Sequence, residues 1–183
     1  MRYEVNMPAV RVIPSAEAPA SLLVDIRRLL VDAFAGGFSD DDWQHALGGH
    51  HVVVVEGGSV VAHAALVPRA IDVADRRFAA GYVEAVATAP ARQGQGLGSL
   101  AMAELTTMIR DRFELGALST DRHSFYGQHG WERWRGPSFV RSGAAVTRTT
   151  EEDDGIMVLR FGPSAAVDLT SAISCEARPG DDW

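Results

Sequence analysis

The feature that most constrains this chain is a glycine loop placed between an apolar strand and a long helix. Tyr82-Val83-Glu84-Ala85-Val86-Ala87-Thr88 reads as a strand. Ala89-Pro90-Ala91-Arg92 closes it, and Gln93-Gly94-Gln95-Gly96-Leu97-Gly98-Ser99 opens a helical pattern running to Phe113. Backbone N–H groups at a helix start lack intrahelical partners and point outward together. Glycines let that backbone turn tightly and approach a ligand closely. The helix dipole adds partial positive charge, and Arg92 could add a whole one. A pyrophosphate is the guest such a loop suits. The spacing excludes a P-loop, because no Gly-Lys-Ser/Thr follows. It also excludes a good dinucleotide fingerprint, because the loop sits mid-chain after hairpins rather than after the first strand of a βαβ unit.

The rest of the chain predicts a mixed α/β domain. Val10 to Ile13 is a strand closed by Pro14. Leu22, Leu23, Ile26, Leu29, Leu30, Ala33 and Phe34 recur at helical spacing, with Ser21 as a candidate cap and Gly36-Gly37 as the stop. Ser39-Asp40-Asp41-Asp42 has the look of a capping box before a short helix to Leu47. Strands follow at His51–Val55, Val60–Val67 and Gly81–Thr88. Gly57-Gly58 is one hairpin turn and Ala74-Asp75-Arg76-Arg77 a second, so four strands are expected before the long helix and the early sheet should be antiparallel. Then come a strand at Leu115–Leu118, a short helix at Arg122–His129, strand pieces within Trp131–Val140, an acidic turn at Glu151–Gly155 and a strand at Ile156–Arg160. The last 20 residues read as a tail.

Length and charge bound the function. The chain has 183 residues, which predicts one domain. Seventeen basic residues, all arginine, against 24 acidic ones give −7. A nucleic-acid binder should present a basic face, so none is expected as partner. An acidic surface suits a cationic small molecule. No apolar run nears the roughly 20 residues needed to span a bilayer, and the first residues lack a long apolar stretch, so neither a membrane nor a secretory signal is expected. Cys175 is the single cysteine, which fits a reducing cytoplasmic compartment. The histidines lack metal spacing. His50 and His51 are adjacent, and His63 in its apolar strand is read as structural, so no metal is expected.

Gln93 to Gly98 matches Q/R-x-x-G-x-G/A, and with Phe125-Tyr126-Gly127-Gln128-His129-Gly130-Trp131 it resembles the GCN5-related N-acetyltransferases. Over most of its length the chain is similar, within them, to the aminoglycoside 2′-N-acetyltransferases. The stretches that carry this are Asp32-Ala33-Phe34-Ala35-Gly36, Asp42-Trp43, Leu47-Gly48-Gly49, Gly81 to Glu84, Leu115 to Ser119, Asp153-Asp154-Gly155 and Gly180-Asp181-Asp182-Trp183.

The resemblance implies a single GNAT domain over 1–183: a central mixed, largely antiparallel sheet flanked by helices, with 164–183 as a tail contributing to the substrate pocket. It implies direct acetyl transfer from acetyl-CoA to the 2′-amine of an aminoglycoside, giving antibiotic resistance, and a homodimer by analogy. Val86, Ala87 and Thr88 would meet the thioester and pantetheine arm, and Arg92 with Gln93, Gly94, Gln95, Gly96, Leu97, Gly98 and Ser99 the pyrophosphate. Val86 would also act in catalysis through its N–H. Glu84, a carboxylate in an apolar strand, is the candidate proton acceptor, and Tyr126 the candidate general acid. Asp42, Glu84, Ala85, Ser119, Asp153, Asp181 and the Trp183 carboxylate would bind the acceptor. The family pattern has an acid where this chain has Gly37, and an aromatic where it has Ala177. Both bear on acceptor range. The alternatives are an acetyltransferase for another small amine or amino sugar, and a non-catalytic acetyl-CoA or aminoglycoside binding module.

Overall fold

The computed structural model describes residues 7–183. In chain order the elements are β1 (Ala9–Pro14), α1 (Ala20–Ala33), α2 (Asp40–Ala46), β2 (His50–Glu56), β3 (Ser59–Val73), β4 (Arg76–Thr88), α3 (Leu97–Arg112), β5 (Leu115–Ser119), α4 (His123–Gly127), β6 (Glu132–Arg133), β7 (Ser138–Ser142), β8 (Ala145–Arg148), β9 (Ile156–Arg160) and β10 (Ile173–Glu176). The fold is α/β, a mixed sheet with helices packed on it. The chain divides into two compact units, one formed by residues up to Leu66 with Glu84–Leu105, the other by Val67–Val83 with Thr106–Trp183.

In the first unit β1, β2 and the start of β3 form an antiparallel ladder, with Ile13 opposite His51 and Val53 opposite His63. Gly57 and Gly58 turn the β2–β3 hairpin at φ 59° and 79°, the left-handed pair a tight hairpin needs. Ile26 and Leu30 of α1 and Trp43 of α2 pack with Val53 of β2 and Ala87 of β4. Full burial of such side chains is worth about 1.5–3 kcal/mol each. The capping box at Ser39 forms as expected: the Asp42 N–H donates to Ser39 Oγ at 3.1 Å and the Ser39 N–H to Asp42 Oδ2 at 2.7 Å. Ser21 does not cap α1, because the helix starts a residue earlier behind Pro19, which offers no side-chain acceptor.

In the second unit the hydrogen-bonded strand path is β6-β9-β5-β4-β3-β10-β7-β8. β4 with β5 and β10 with β7 are parallel, while β10 with β3, β5 with β9, β6 with β9 and β7 with β8 are antiparallel. Its core gathers Phe78, Tyr82, Leu115, Trp134, Ile156, Val158, Ile173, Cys175 and Trp183. Gly116 is glycine for room: a Cβ there would lie 2.8 Å from Leu159 Cβ and 2.9 Å from the Trp131 ring.

Three strands, not four, separate α2 from α3. β3 and β4 are single long strands of 15 and 13 residues that meet at the Ala74–Asp75 turn. Pro68 is tolerated inside β3 because it is exposed and lies beyond Leu66, where the register with β2 ends. β8 is wholly exposed, so no apolar alternation marked it in the sequence. The tail is ordered: β10 lies between β3 and β7 with Ile173 and Cys175 fully buried.

Candidate active site

β4 runs through to Thr88, but its backbone is strained where chemistry was expected. Ala85, between Glu84 and Val86, has φ 50°. A non-glycine residue in the left-handed region costs roughly 1–2 kcal/mol and breaks the pleat as a bulge does. Such strain collects at functional sites. Here it falls between Glu84 and Val86, the two groups that the sequence singles out for catalysis. Glu84, Ala85 and Val86 are half-buried, whereas Tyr82 and Ala87 are buried.

The strained residue is held from behind. The His63 Nδ1–H lies 2.8 Å from the Ala85 carbonyl. His63 is fully buried, and its other nitrogen lies 2.9 Å from His51 Nδ1. His51 Nε2 is in turn 3.1 Å from Ser15 Oγ. Desolvation first, then the neighbouring His51, lowers the His63 pKa to about 3, while desolvation and His50 lower that of His51 to about 4. Both rings are therefore neutral at pH 7. Sequence reading assigned His63 a structural part and missed its contact with Ala85. The available signal was register: His63 pairs with Val53, so it sits diagonal to His51 on one face of the hairpin.

Downstream of β4 the loop takes the form an anion site requires. Gly94 and Gly96 have φ 76° and 78°, yet a Cβ at either would meet nothing within 4 Å. The glycines are there for backbone conformation, and the space beside them is open. The Leu100 N–H bonds the Gly96 carbonyl at 3.1 Å, so the N–H groups of Leu97, Gly98 and Ser99 precede the first intrahelical bond. Leu97 is buried and anchors the helix start. These features fit the pyrophosphate of a coenzyme A. Arg92 is less free than its sequence position implied. It forms a short ion pair with Glu56, and its Nε–H bonds Gln95 Oε1 at 2.9 Å. That pair holds the Glu56 carboxyl below its usual range. Arg92 thus fastens both sides of the loop, and Glu56 offsets its charge. Asp42 stands in its capping box, half-buried, its Oδ2 also accepting from Ser39 Oγ at 2.8 Å.

In the second unit Ser119, at the end of β5, meets an acidic turn. Its hydroxyl lies 3.4 Å from Glu152 Oε2, and a Cβ on Gly155 would come within 2.7 Å of it. Burial, then Asp181, Glu151 and Asp182, raise the Glu152 pKa, partly opposed by Ser119. Asp153 turns elsewhere. It accepts from the Ser138 N–H at 2.9 Å, from Ser138 Oγ at 2.8 Å and from Arg148 in a two-pronged pair. The acid beside Ser119 and the tail carboxylates is therefore Glu152, which sequence reading passed over in favour of its neighbour.

Tyr126 is buried on α4, edge-on to Phe125 and Trp131 at centroid distances of 5.0 and 6.3 Å. The helix is tied to the acidic turn by His123 Nε2 on the Asp154 carbonyl at 2.7 Å. The tail turn is fixed by the Arg178 N–H on Asp182 Oδ1 at 2.8 Å and by Arg178 Nε on the Asp181 carbonyl at 2.7 Å. Asp181 is exposed, and Trp183 is buried in the core with Tyr82 and Cys175. Ala177 lines an open cleft of about 620 Å³ with Arg69, Phe78, Glu114 and Arg178. Among the described residues no cluster of His, Cys, Asp or Glu could hold a metal ion, and no helix is long and apolar enough to cross a membrane.

An acetyltransferase (GNAT) domain matches residues 17–134. The chain belongs to the GNAT acetyltransferases. An aminoglycoside 2′-N-acetyltransferase from Mycolicibacterium fortuitum is 43% identical over 161 residues, 86% of this chain and 83% of that protein. The GNAT family N-acetyltransferase YhbS from Escherichia coli, solved with CoA, superposes with a TM-score of 0.67 at 18% identity, covering 96% of this chain and 93% of that one. A GNAT family acetyltransferase from Brucella melitensis, solved with acetyl-CoA, gives 0.62 at 18% identity over 92% and 95%. Some matched structures are longer, and this chain spans about a third of them (33% and 36%). The enzyme is thus an N-acetyltransferase.

Proposed function

We propose that this GNAT enzyme moves an acetyl group from acetyl-CoA directly to the 2′-amine of aminoglycosides and so confers resistance to them. The observation that carries the acceptor is the 43% identity to the Mycolicibacterium fortuitum aminoglycoside 2′-N-acetyltransferase across most of both chains. The acids grouped around Ser119 support it. A polycationic sugar needs several converging carboxylates, since one exposed ion pair is worth only about 0.2–1 kcal/mol. Half-buried Glu152 and exposed Asp181 repel each other, and a bound ammonium would relieve that repulsion. Asp42, Ala85, Ser119, Asp153 and Trp183 complete the proposed acceptor set, with Asp153 acting by holding Ser138 and Arg148 in place.

Acetyl-CoA supplies a thioester, an activated acyl group with a good leaving thiolate. The Leu97, Gly98 and Ser99 amides at the start of α3 hold its pyrophosphate. The Val86 N–H stabilises the oxyanion that develops as the amine nitrogen attacks, and Ala87 and Thr88 line the pantetheine arm. Glu84 accepts, through water, the proton that the ammonium must lose before it can attack. The new C–N bond replaces the C–S bond; Tyr126 gives its phenolic proton to the departing sulfur and is reprotonated by the second proton that the nitrogen sheds as the amide forms. Residues 1–183 act as one catalytic domain, 164–183 contributing to the acceptor pocket, and the enzyme works in the cytoplasm as a homodimer.

Thiol release from acetyl-CoA, followed across aminoglycosides that bear a 2′-amine or a 2′-hydroxyl, tests this reading. Turnover confined to the 2′-amines is expected. Coenzyme A binding without turnover on any of them would point to another small amine, the reading that Gly37 and Ala177 favour.

A further inference from the structure

We infer that Ser15, His51 and His63 form a one-directional hydrogen-bond relay that clamps the left-handed Ala85, making His63 a positioning residue for Glu84 and the Val86 amide. The inference rests on the acetyl-transfer roles proposed for those two groups.

The direction follows from chemistry. A carbonyl oxygen only accepts, so at 2.8 Å from the Ala85 oxygen His63 Nδ1 carries the proton. A second proton on this fully buried ring would place an unpaired cation in the interior. His63 Nε2 therefore accepts, and the 2.9 Å contact makes His51 Nδ1 the donor. The same logic makes His51 Nε2 the acceptor for Ser15 O–H at 3.1 Å. Each group has one assignment, and Ser15 ends the chain in β1–α1 backbone that is itself fastened by its N–H to the Gly49 carbonyl at 2.8 Å.

The site needs such a clamp. Alanine does not hold φ 50° by its own preference, and a relaxed backbone there would re-aim the Glu84 and Val86 groups on either side of it. Apolar groups back the relay: Ala85 packs against the cluster that contains Ile26, Leu30, Trp43, Val53 and Ala87, and Trp43 stacks on His51 at 6.3 Å and 20°. The relay ends on an oxygen that cannot pass a proton on, so it orients the backbone and does not shuttle protons.

The test compares the wild type with His63→Leu and His63→Asn, whose side-chain amide can donate from about the Nδ1 position. The substrate is an aminoglycoside that the wild type acetylates. His63→Leu is expected to lower kcat at least about tenfold, with coenzyme A affinity within about threefold, because small misplacements of reacting groups are costly while the contacts of the glycine loop persist. His63→Asn should recover most of that kcat. Long-range 1H–15N spectra of the wild type should show both His51 and His63 neutral and protonated on Nδ1. Wild-type kcat in His63→Leu would overturn the inference, as would a His63 protonated on Nε2. Should His63→Leu not fold, the Asn variant and the wild-type tautomers decide. If the wild type acetylates no aminoglycoside, the proposed acceptor fails. The tautomers and the change in the Val86 amide shift between wild type and His63→Asn then still decide the relay, a large change overturning it.

Discussion

Glu152 and Asp153 are adjacent in the chain and sit in opposite electrostatic settings. Glu152 lies beside Ser119 among other acids, which with burial raise its pKa. Asp153 is gripped by Arg148 and Ser138, which lower its pKa to about 2. One peptide unit thus separates a carboxylate poised for a cation from one that already has it.

Glu152→Gln should weaken acceptor binding while leaving the fold intact or firmer. Its raised pKa means that ionisation at neutral pH opposes folding: stability is fuller below its ordinary value and declines as pH rises through the folded one. The amide removes that cost and with it the attraction for an ammonium. Aminoglycoside KM should rise roughly fivefold or more at unchanged acetyl-CoA KM, with Tm equal to or above wild type. A fall in Tm at unchanged KM would reverse the assignment.

Asp153→Asn should act on stability. Its depressed pKa contributes stability that is present above the ordinary value of 3.8 and lost as pH falls toward about 2. Charge-assisted hydrogen bonds of this kind are worth about 1.5–3 kcal/mol. The variant should melt at a lower temperature at pH 7 and lose less than the wild type between pH 4 and pH 2. Melting curves at those values check it.

Tyr126→Phe removes one hydroxyl from an aromatic side chain already packed by Phe125 and Trp131. The fold should therefore hold. General acid catalysis is worth about 10²–10⁴-fold, so kcat should drop by roughly 10² with acetyl-CoA KM little changed. An unchanged kcat would leave thiolate departure unassisted by this residue.

Gly96→Ala separates conformation from space. A methyl there meets nothing within 4 Å, but φ 78° is unfavourable for alanine. A cost of about 1–2 kcal/mol is expected, taken either as lower Tm or as a distorted loop with raised acetyl-CoA KM. Gly116→Ala is the contrast: its methyl would collide with Leu159 and Trp131, so stability should fall by about 1–3 kcal/mol and coenzyme affinity should hold.

Much of the local order was legible because it is written in short spacings. The Ser39 capping box, the Gly57-Gly58 turn and the glycine loop each need a residue type at one backbone position, and the structure has all three. β9 runs from Ile156 to Arg160 as its apolar run predicts. β8 and β10 were less visible. The first is exposed throughout, and the second takes its place between β3 and β7 from partners about 100 and 35 residues away in the chain.

By itself the sequence determined the strand, glycine loop and helix that suit a pyrophosphate, and the acidic character that suits a cationic acceptor, since both follow from residue type and near spacing. Only the tertiary structure decided which charges are available. Arg92 is offset by Glu56, Asp153 by Arg148, and Glu152 is left facing Ser119. Only it joined His63 to Ala85, 22 residues apart. Pairing and burial depend on which groups folding brings within about 3 Å, and that distance is not a property of any local stretch of chain.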